Sequence, residues 1–365
     1  MKIAVDIRSA SGEKAGKGWF TFYIIQNLLE QDQKNHYLLY AQNKTPGFDK
    51  YKNAQIKVIN SKGILWHYKV VKDIQKEAPD IFIAPTSYII PVLLPKSIKT
   101  ILVVHDLVSF FYPHMHNKKA AFIERFLLRT ALKKAKKVIA VSKNTKNDII
   151  QKFNYEKNKI NIVNCSASDD FKPVEAGSLS SFIKKTNLPA NFFLAVGTLE
   201  PRKNYINLIK AFGRVNKRYP NYHLIIVGNN GWNYEQIYEE IKINYLQKKV
   251  HILGYLSGKS LNNLYNLAKG FVFPSLYEGF GIPPLEAMKC GCPVIASNTS
   301  SLPEVVGESA ILISPHSVSE MENAMLSLVK DKNLCDNLRQ KGLKQAKKFS
   351  WKNSAAKLLK VIEKL

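Results

Sequence analysis

Short apolar runs alternate with amphipathic stretches along the whole chain, and this alternation predicts a repeated strand and helix order. Near-continuous apolar segments at 2–7, 36–41, 56–60, 80–84, 100–105, 138–142 and 160–164 read as strands covered on both faces. Between them, 19–29, 66–76, 118–137 and 143–153 place apolar residues three and four apart, as a helix lying on a sheet requires. The order resumes with strands expected at 192–196, 223–227, 250–253, 271–273 and 293–296. Helices are expected at 204–215, 234–243, 260–268 and 285–289. Such alternation predicts parallel sheets and an α/β class.

The polar stretch SASDDFKPVEAGSLSS at 166–181, with Pro173 and Gly177, interrupts the pattern and reads as a linker. Its Asp169 and Asp170 read as a turn, not as metal ligands. A chain of 365 residues exceeds the size at which one core keeps growing, so two domains are expected, 1–168 and 169–350.

Composition narrows the class. With 45% hydrophobic and 22% charged residues the chain is globular. No apolar run approaches the roughly 18 residues that span a bilayer, and Met1 leads straight into a strand without a signal peptide's order of regions, so a cytoplasmic protein is expected. The four cysteines lack metal-site spacing and are expected to be reduced and structural.

The formal net charge of +26 calls for a polyanionic neighbour or a role in solubility. It is concentrated at 118–159, where 13 basic residues face Glu124, Asp148 and Glu156. Two readings stand for 118–137. In one, Phe122, Ile123, Phe126, Leu127, Thr130, Ala131 and Leu132 face the sheet and the basic back is solvated. In the other, the helix docks on anionic lipid headgroups at the inner face of the membrane. Nucleic acid is disfavoured, because the basic residues are not interleaved with aromatics and no nucleic-acid motif accompanies them.

Candidate chemistry sits at the strand ends. Gly12, Gly16 and Gly18 follow the first strand, but a third glycine and the acid of a dinucleotide fold are missing. This loop is expected to approach a ligand with its backbone. His105 closes the strand at 100–105, the end where open α/β sheets bind ligands. Arg202 and Lys203 adjoin a helix start at which Asn204 is placed as N-cap, and together they can hold a diphosphate from two directions. The segment 269–297 reads as strand, Gly-rich loop, helix and strand, with Pro283 and Pro284 suited to the helix's first turn. Its Glu278 and Glu286 are suited to accept hydrogen bonds from hydroxyls. Each of these signals alone also fits a solvated surface loop. Tyr255 and Leu256, after Gly254, are candidate neighbours of a nucleobase.

Taken together, GTLEPRKN at 197–204, PSLYEGFGIPPLEAMKCGCPVIAS at 274–297 and SLPEVVGESAILISP at 301–315 resemble the motifs of the retaining group-1 (family 4) nucleotide-sugar glycosyltransferases. VHDLVSFFYP at 104–113 and AGKGWFTFYIIQNLL at 15–29 carry the resemblance into the first half, and the wording is similar to bacterial mannosyl- or rhamnosyl-type transferases of surface polysaccharide. The resemblance implies a GT-B fold, two Rossmann-like domains facing a cleft, with the last helix, about 351–365, crossing back onto the first. It implies that Arg202 and Lys203 bind the donor's diphosphate and Glu286 its ribose hydroxyls. Glu278 and the backbone at Gly279, Phe280, Gly281 and Ile282 would meet sugar and phosphate. Gly16, Gly18 and Gly197 would line the donor, and His105 would stand by the reacting centre. No cofactor or metal is implied. The partners would be a nucleoside-diphosphate sugar, with GDP-mannose ahead of UDP-glucose or dTDP-rhamnose, and a glycan or lipid-linked glycan acceptor. A sugar-nucleotide epimerase and a non-catalytic basic scaffold are the competing classes. The sequence departs from the family pattern twice: Trp19 and Phe20 stand where relatives often carry Arg-Tyr, and Asn229-Asn230 stand where a basic residue is frequent.

Overall fold

The computed structural model describes residues 1–12, 14, 16–115, 118–186, 188–256 and 258–365. Within helices the side chains of residues 118–120, 176 and 178 lie outside the described residues, including those expected of Lys118 and Lys119. The chain forms two compact units, Met1–Ser166 with Ser350–Leu365, and Ala167–Phe349.

The first unit is built on seven strands: β1 (Lys2–Asp6), β2 (His36–Ala41), β3 (Ala54–Val58), β4 (Ile81–Ala84), β5 (Lys99–Val104), β6 (Lys137–Ala140) and β7 (Ile160–Ile162). They pair in parallel in the order β3-β2-β1-β4-β5-β6-β7. Crossovers from β1 to β2 and from β3 to β4 run in opposite directions across the sheet. Right-handed connections therefore place their helices on opposite faces. On one face Trp66, Val70, Ile74, Leu128, Ala131 and Leu132 pack against alternate strand residues such as Ala4, Leu38, Phe82 and Leu102. The helix Gly16–Gln31 pairs with the last helix, Trp351–Ile362. Trp351 stacks on Tyr23 at 5.6 Å and meets Phe20 edge-on at 5.8 Å.

The helix Lys118–Lys134 corrects the expected inward stripe. Ala121, Glu124, Leu128, Ala131 and Leu132 face the sheet, whereas Phe122, Ile123, Phe126 and Thr130 are exposed. Both stripes have helical spacing. Small alanines let the backbone approach the strands closely, and the bulkier phenylalanines, which dominate a hydrophobicity count, are left outside.

The second unit's strands are β8 (Asn191–Val196), β9 (Tyr222–Val227), β10 (Val250–Ile252), β11 (Gly270–Phe273), β12 (Val294–Ser297) and β13 (Ala310–Ile313). They form a parallel sheet in the order β10-β9-β8-β11-β12-β13. The helix Ala176–Thr186 begins inside the stretch expected to be linker. Asp169 does lie in a turn, where its carboxylate meets Lys289 at 2.6 Å. Helices Val318–Lys330 and Lys332–Ala346 carry signals the sequence reading passed over. The Ser317 and Asp331 side chains accept from the N–H groups of Glu320 and Leu334 at 3.1 and 2.9 Å. All four cysteines are buried and free. Among the described residues no helix is long and apolar enough to cross a membrane.

Candidate active site

In the second sheet the strand order reverses between β8 and β11, and in parallel sheets the turns leaving such neighbouring strands open a crevice at the carboxyl edge. The turn after β8 carries Arg202 and Lys203; the turn after β11 carries Glu278. The structure brings them together. Lys203 Nζ stands 2.6 Å and Arg202 Nη1 2.9 Å from Glu278 Oε1. Lys203 also lies over the Phe273 ring, 4.8 Å from its centroid.

Backbone contacts fix the two turns to each other. Leu276 N–H donates to the Arg202 carbonyl, and Arg202 Nη1 donates to the Tyr277 carbonyl, both at 2.9 Å. Asn204 corrects its expected role. It sits in the left-handed region at φ 60 and makes no side-chain cap, because its amide donates instead to the carbonyls of Pro274 and Pro315 at 3.1 and 2.7 Å. It stands at the N-cap position of the helix Tyr205–Arg218, but its side chain ties three loops instead of capping that helix. Ser301 Oγ donates to the carbonyls of Glu278 and Phe280 at 2.9 and 2.7 Å, and Ser300 Oγ accepts from Glu278 N–H at 2.9 Å.

Charge is balanced in this knot. Glu200, which sequence reasoning missed although it lies two residues from Arg202, accepts from Arg202 Nη2 at 2.5 Å. Two cations thus face two carboxylates. Burial pulls the Lys203 ammonium below its usual range, against the attraction of Glu278. Burial acts the other way on Glu278, but Arg202 and Lys203 outweigh it and hold that carboxyl below the usual range. Both side chains are held in place by these contacts before any ligand arrives, the condition under which cations stabilise negative charge without reorganising.

Gly281, at φ 108, precedes the helix Ile282–Lys289; a Cβ there would lie 2.8 Å from Leu302 Cδ2. Pro283 and Pro284 occupy the first turn and carry no N–H, so the donor of the first turn that faces outward is that of Ile282, while Leu285 N–H is the first to bond back into the helix. Phe280 turns its ring onto Phe349 at 5.6 Å, and Gly279 and Ile282 are half-buried beside it. Gly197, at φ 149, has Lys203 Cε 3.2 Å from the position of a Cβ. Tyr255 is exposed and Leu256 half-buried. Their turn joins the one after β9 through Gly228 N–H to Gly254 O, 2.8 Å, and Tyr255 N–H to Asn229 Oδ1, 3.1 Å.

Glu286 lies within the helix Ile282–Lys289 and accepts a hydrogen bond from Tyr265 Oη at 3.0 Å. Burial pushes its carboxyl up to about 7. A raised folded-state pKa favours the fold while the acid is protonated, and that contribution is lost as pH rises from the unfolded value of 4.5 through about 7. Glu286→Gln is therefore expected to raise thermal stability by about 1–2 kcal/mol at about pH 8, the gain fading at acid pH. Melting curves at both ends check it; an equal shift at each pH would contradict it.

His105, Gly16 and Gly18 belong to the first unit. His105 follows β5, next to the point where the first sheet's strand order reverses. Its Nε2 is 2.8 Å from the Pro85 carbonyl and its ring meets Phe20 edge-on at 4.9 Å. Burial, then Lys17, pulls its pKa down to about 4, so the ring is neutral at physiological pH. Nε2 then donates to Pro85, leaving Nδ1 as acceptor. Gly18 has a packing role: a Cβ there would lie 2.5 Å from the Ser9 carbonyl, whereas Gly16 is exposed with nothing within 4 Å. Among the described residues no group of three or more His, Cys, Asp or Glu could hold a metal ion.

Comparison with known proteins agrees with the two-sheet fold. The family model for glycosyl transferases group 1 matches residues 179–345, and that for Glycosyltransferase Family 4 matches residues 26–170. O-antigen chain mannosyltransferase B of Escherichia coli is 34% identical over 278 residues, 75% of this chain and 71% of that protein. O-antigen chain mannosyltransferase RfbU of Salmonella typhimurium is 33% identical over 249 residues, 67% of this chain and 64% of the relative. The serotype-specific mannosyltransferase WbdA of Escherichia coli is 32% identical over 70% of this chain, which spans 32% of WbdA's length. In fold, the chain superposes on Anabaena HepE in complex with UDP-glucose with TM-score 0.83 at 18% identity, covering both chains completely. It superposes on WaaG, a glycosyltransferase involved in lipopolysaccharide biosynthesis, with TM-score 0.77 at 15% identity over 99% of each chain. With two parallel Rossmann-like sheets and these relatives, the chain belongs to the group 1 glycosyltransferases of GT-B fold.

Proposed function

We propose that the chain transfers mannose from GDP-mannose to a hydroxyl of a glycan or lipid-linked glycan in surface polysaccharide synthesis, with retention and without a metal. The observation that carries the reading is the Arg202, Lys203 and Glu278 knot at the strand-order reversal of the second sheet. Breaking the bond between anomeric carbon and phosphate leaves positive charge on the sugar and negative charge on the departing diphosphate. Arg202, Lys203 and the Ile282 N–H answer the second, as a metal would elsewhere. Glu278 holds the two cations in place and offers a carboxylate to the sugar. Glu286 accepts from the ribose hydroxyls, and Tyr255 and Leu256 stand by the base. Front-face attack, with the leaving phosphate oxygen taking the acceptor's proton, preserves the anomeric configuration. A neutral His105 suits this, since its Nδ1 can accept a hydrogen bond from a hydroxyl and no histidine base is required.

The mannose assignment rests on the relatives named as O-antigen mannosyltransferases. UDP-glucose is the second reading, favoured by the HepE complex; dTDP-rhamnose follows it. We place the protein on the cytoplasmic side, with the basic helix Lys118–Lys134 drawn to anionic lipid. A panel of sugar nucleotides offered to the purified protein tests the donor. Turnover of GDP-mannose above the others, unaffected by EDTA and giving a product of unchanged anomeric configuration, is expected. An inverted product or an EDTA-sensitive rate overturns the mechanism. Release of an isomerised sugar nucleotide without acceptor marks an epimerase, and no donor binding at all marks a scaffold.

A further inference from the structure

Two helices of the first unit leave large apolar side chains in water. On Lys118–Lys134, Phe122 and Phe126 are each 73% exposed and Ile123 47%. On Gly63–Glu77, Ile64 is 66%, Leu65 61% and Tyr68 52% exposed. Isolated apolar residues on a surface are ordinary, but clustered ones one helical turn apart mark a contact surface. The Phe122 and Phe126 rings lie parallel, 6.5 Å apart.

The fold aligns the two clusters. Both helices share one face of the first sheet, with the short helix Ile89–Leu93 packed against each. Gly63–Glu77 follows β3, and Lys118–Lys134 follows β5 after the short helix Val108–Phe111, so each begins toward the sheet's carboxyl edge. Five of the six apolar residues fall in the first half of their helix, and Phe126 stands at the midpoint of its own. The helix ends that carry them start at the edge where His105 follows β5.

The surrounding charge has one sign. Lys62, Lys69, Lys72, Arg125, Arg129 and Lys133 are exposed around the clusters. No carboxylate on either helix is exposed: Glu124 is buried, and the half-buried Asp73 and Glu77 pair with Lys57. Aromatic and aliphatic tips ringed by cations complement an anionic bilayer surface, where the tips enter the boundary of headgroups and acyl chains.

We propose that this two-helix rim is a membrane-inserting surface, with Phe122, Ile123, Phe126, Ile64, Leu65 and Tyr68 entering the lipid and the lysines and arginines pairing with anionic headgroups. The proposal rests on the membrane reading above and deepens it: docking has an apolar component, and the helix Gly63–Glu77 takes part. A lipid-borne acceptor would then present its hydroxyl at the edge carrying His105.

Vesicle sedimentation tests this with phosphatidylcholine alone and with roughly one third phosphatidylglycerol added. The wild type is expected to bind the anionic vesicles, and to keep a measurable part of that binding at about 0.5 M salt, where the headgroup attraction is screened. The paired substitutions Phe122→Ser with Phe126→Ser, and Ile64→Ser with Leu65→Ser, are each expected to weaken binding at least about tenfold and to remove the salt-resistant part. Their thermal midpoints should match the wild type, since the residues lie outside the core. Complete release of the wild type by salt, or binding by both paired variants equal to wild type, overturns insertion while leaving electrostatic docking standing. Equal sedimentation with both vesicle types overturns the electrostatic reading as well. Light scattering that finds a dimer in the wild type and a monomer in the variants assigns the rim to a second copy and overturns the proposal.

Discussion

Arg202→Ala and Lys203→Ala are each expected to slow donor cleavage about a hundredfold to a thousandfold in kcat, the usual cost of losing one oriented donor to developing negative charge. Lys203→Ala also removes the nearest counter-charge of the buried Glu278, 2.6 Å away, and Arg202 at 2.9 Å then holds that carboxylate alone. Arg202→Ala takes this donor from Glu200 and the Tyr277 carbonyl and leaves Lys203 as the remaining cation on Glu278. Arg202→Lys keeps the charge but cannot reach these partners with a planar fork, so it should recover only part of the loss. Sugar-nucleotide hydrolysis under saturating donor is the measurement, with melting curves alongside to separate chemistry from folding. Activity of either alanine variant within a few fold of wild type would remove these residues from the reaction.

Gly228→Ala should be the most damaging single methyl in the second unit. A Cβ at this position would lie 2.0 Å from the Gly197 carbonyl oxygen and 3.2 Å from the Thr198 nitrogen. Those are backbone atoms, so no rotamer change relieves the overlap, and the turns after β8 and β9 must separate. Overpacking of well-filled sites typically costs 1–3 kcal/mol, and a clash with backbone should reach at least about 3 kcal/mol. Donor binding should fall with it, because Gly197 lies against Lys203. Chemical denaturation checks the first expectation and a nucleoside-diphosphate titration the second. A variant with wild-type stability would show that the two turns have room the structure does not record.

Much of the architecture was legible because parallel strands covered on both faces leave continuous apolar runs, and each such run from 2–7 to 293–296 corresponds to a strand. The helix pattern was less decisive. At 118–137 two stripes share the helical period, and hydrophobicity favoured the phenylalanines over the alanines that face the sheet. The cationic couple and Glu278 stood out as residue types, but their convergence depends on strand order, and nothing local in a sequence encodes which strands adjoin. Asn204 illustrates the limit: its type and place fit a cap, yet carbonyls 70 and 111 residues away take its amide. Glu200 went unnoticed because a carboxylate next to two cations looks like surface pairing until burial makes it count.

The return of Ser350–Leu365 to the first unit bears on how the chain acquires its shape. Residues 1–166 leave the ribosome before 350–365, so Phe20 and Tyr23 lack the cover of Trp351 until that later segment has been made. The continuous segment Ala167–Phe349 suffers no such wait. The unit made later can therefore mature first, while the earlier one keeps Phe20 and Tyr23 uncovered, open to chaperones or to misassociation, until 350–365 has emerged.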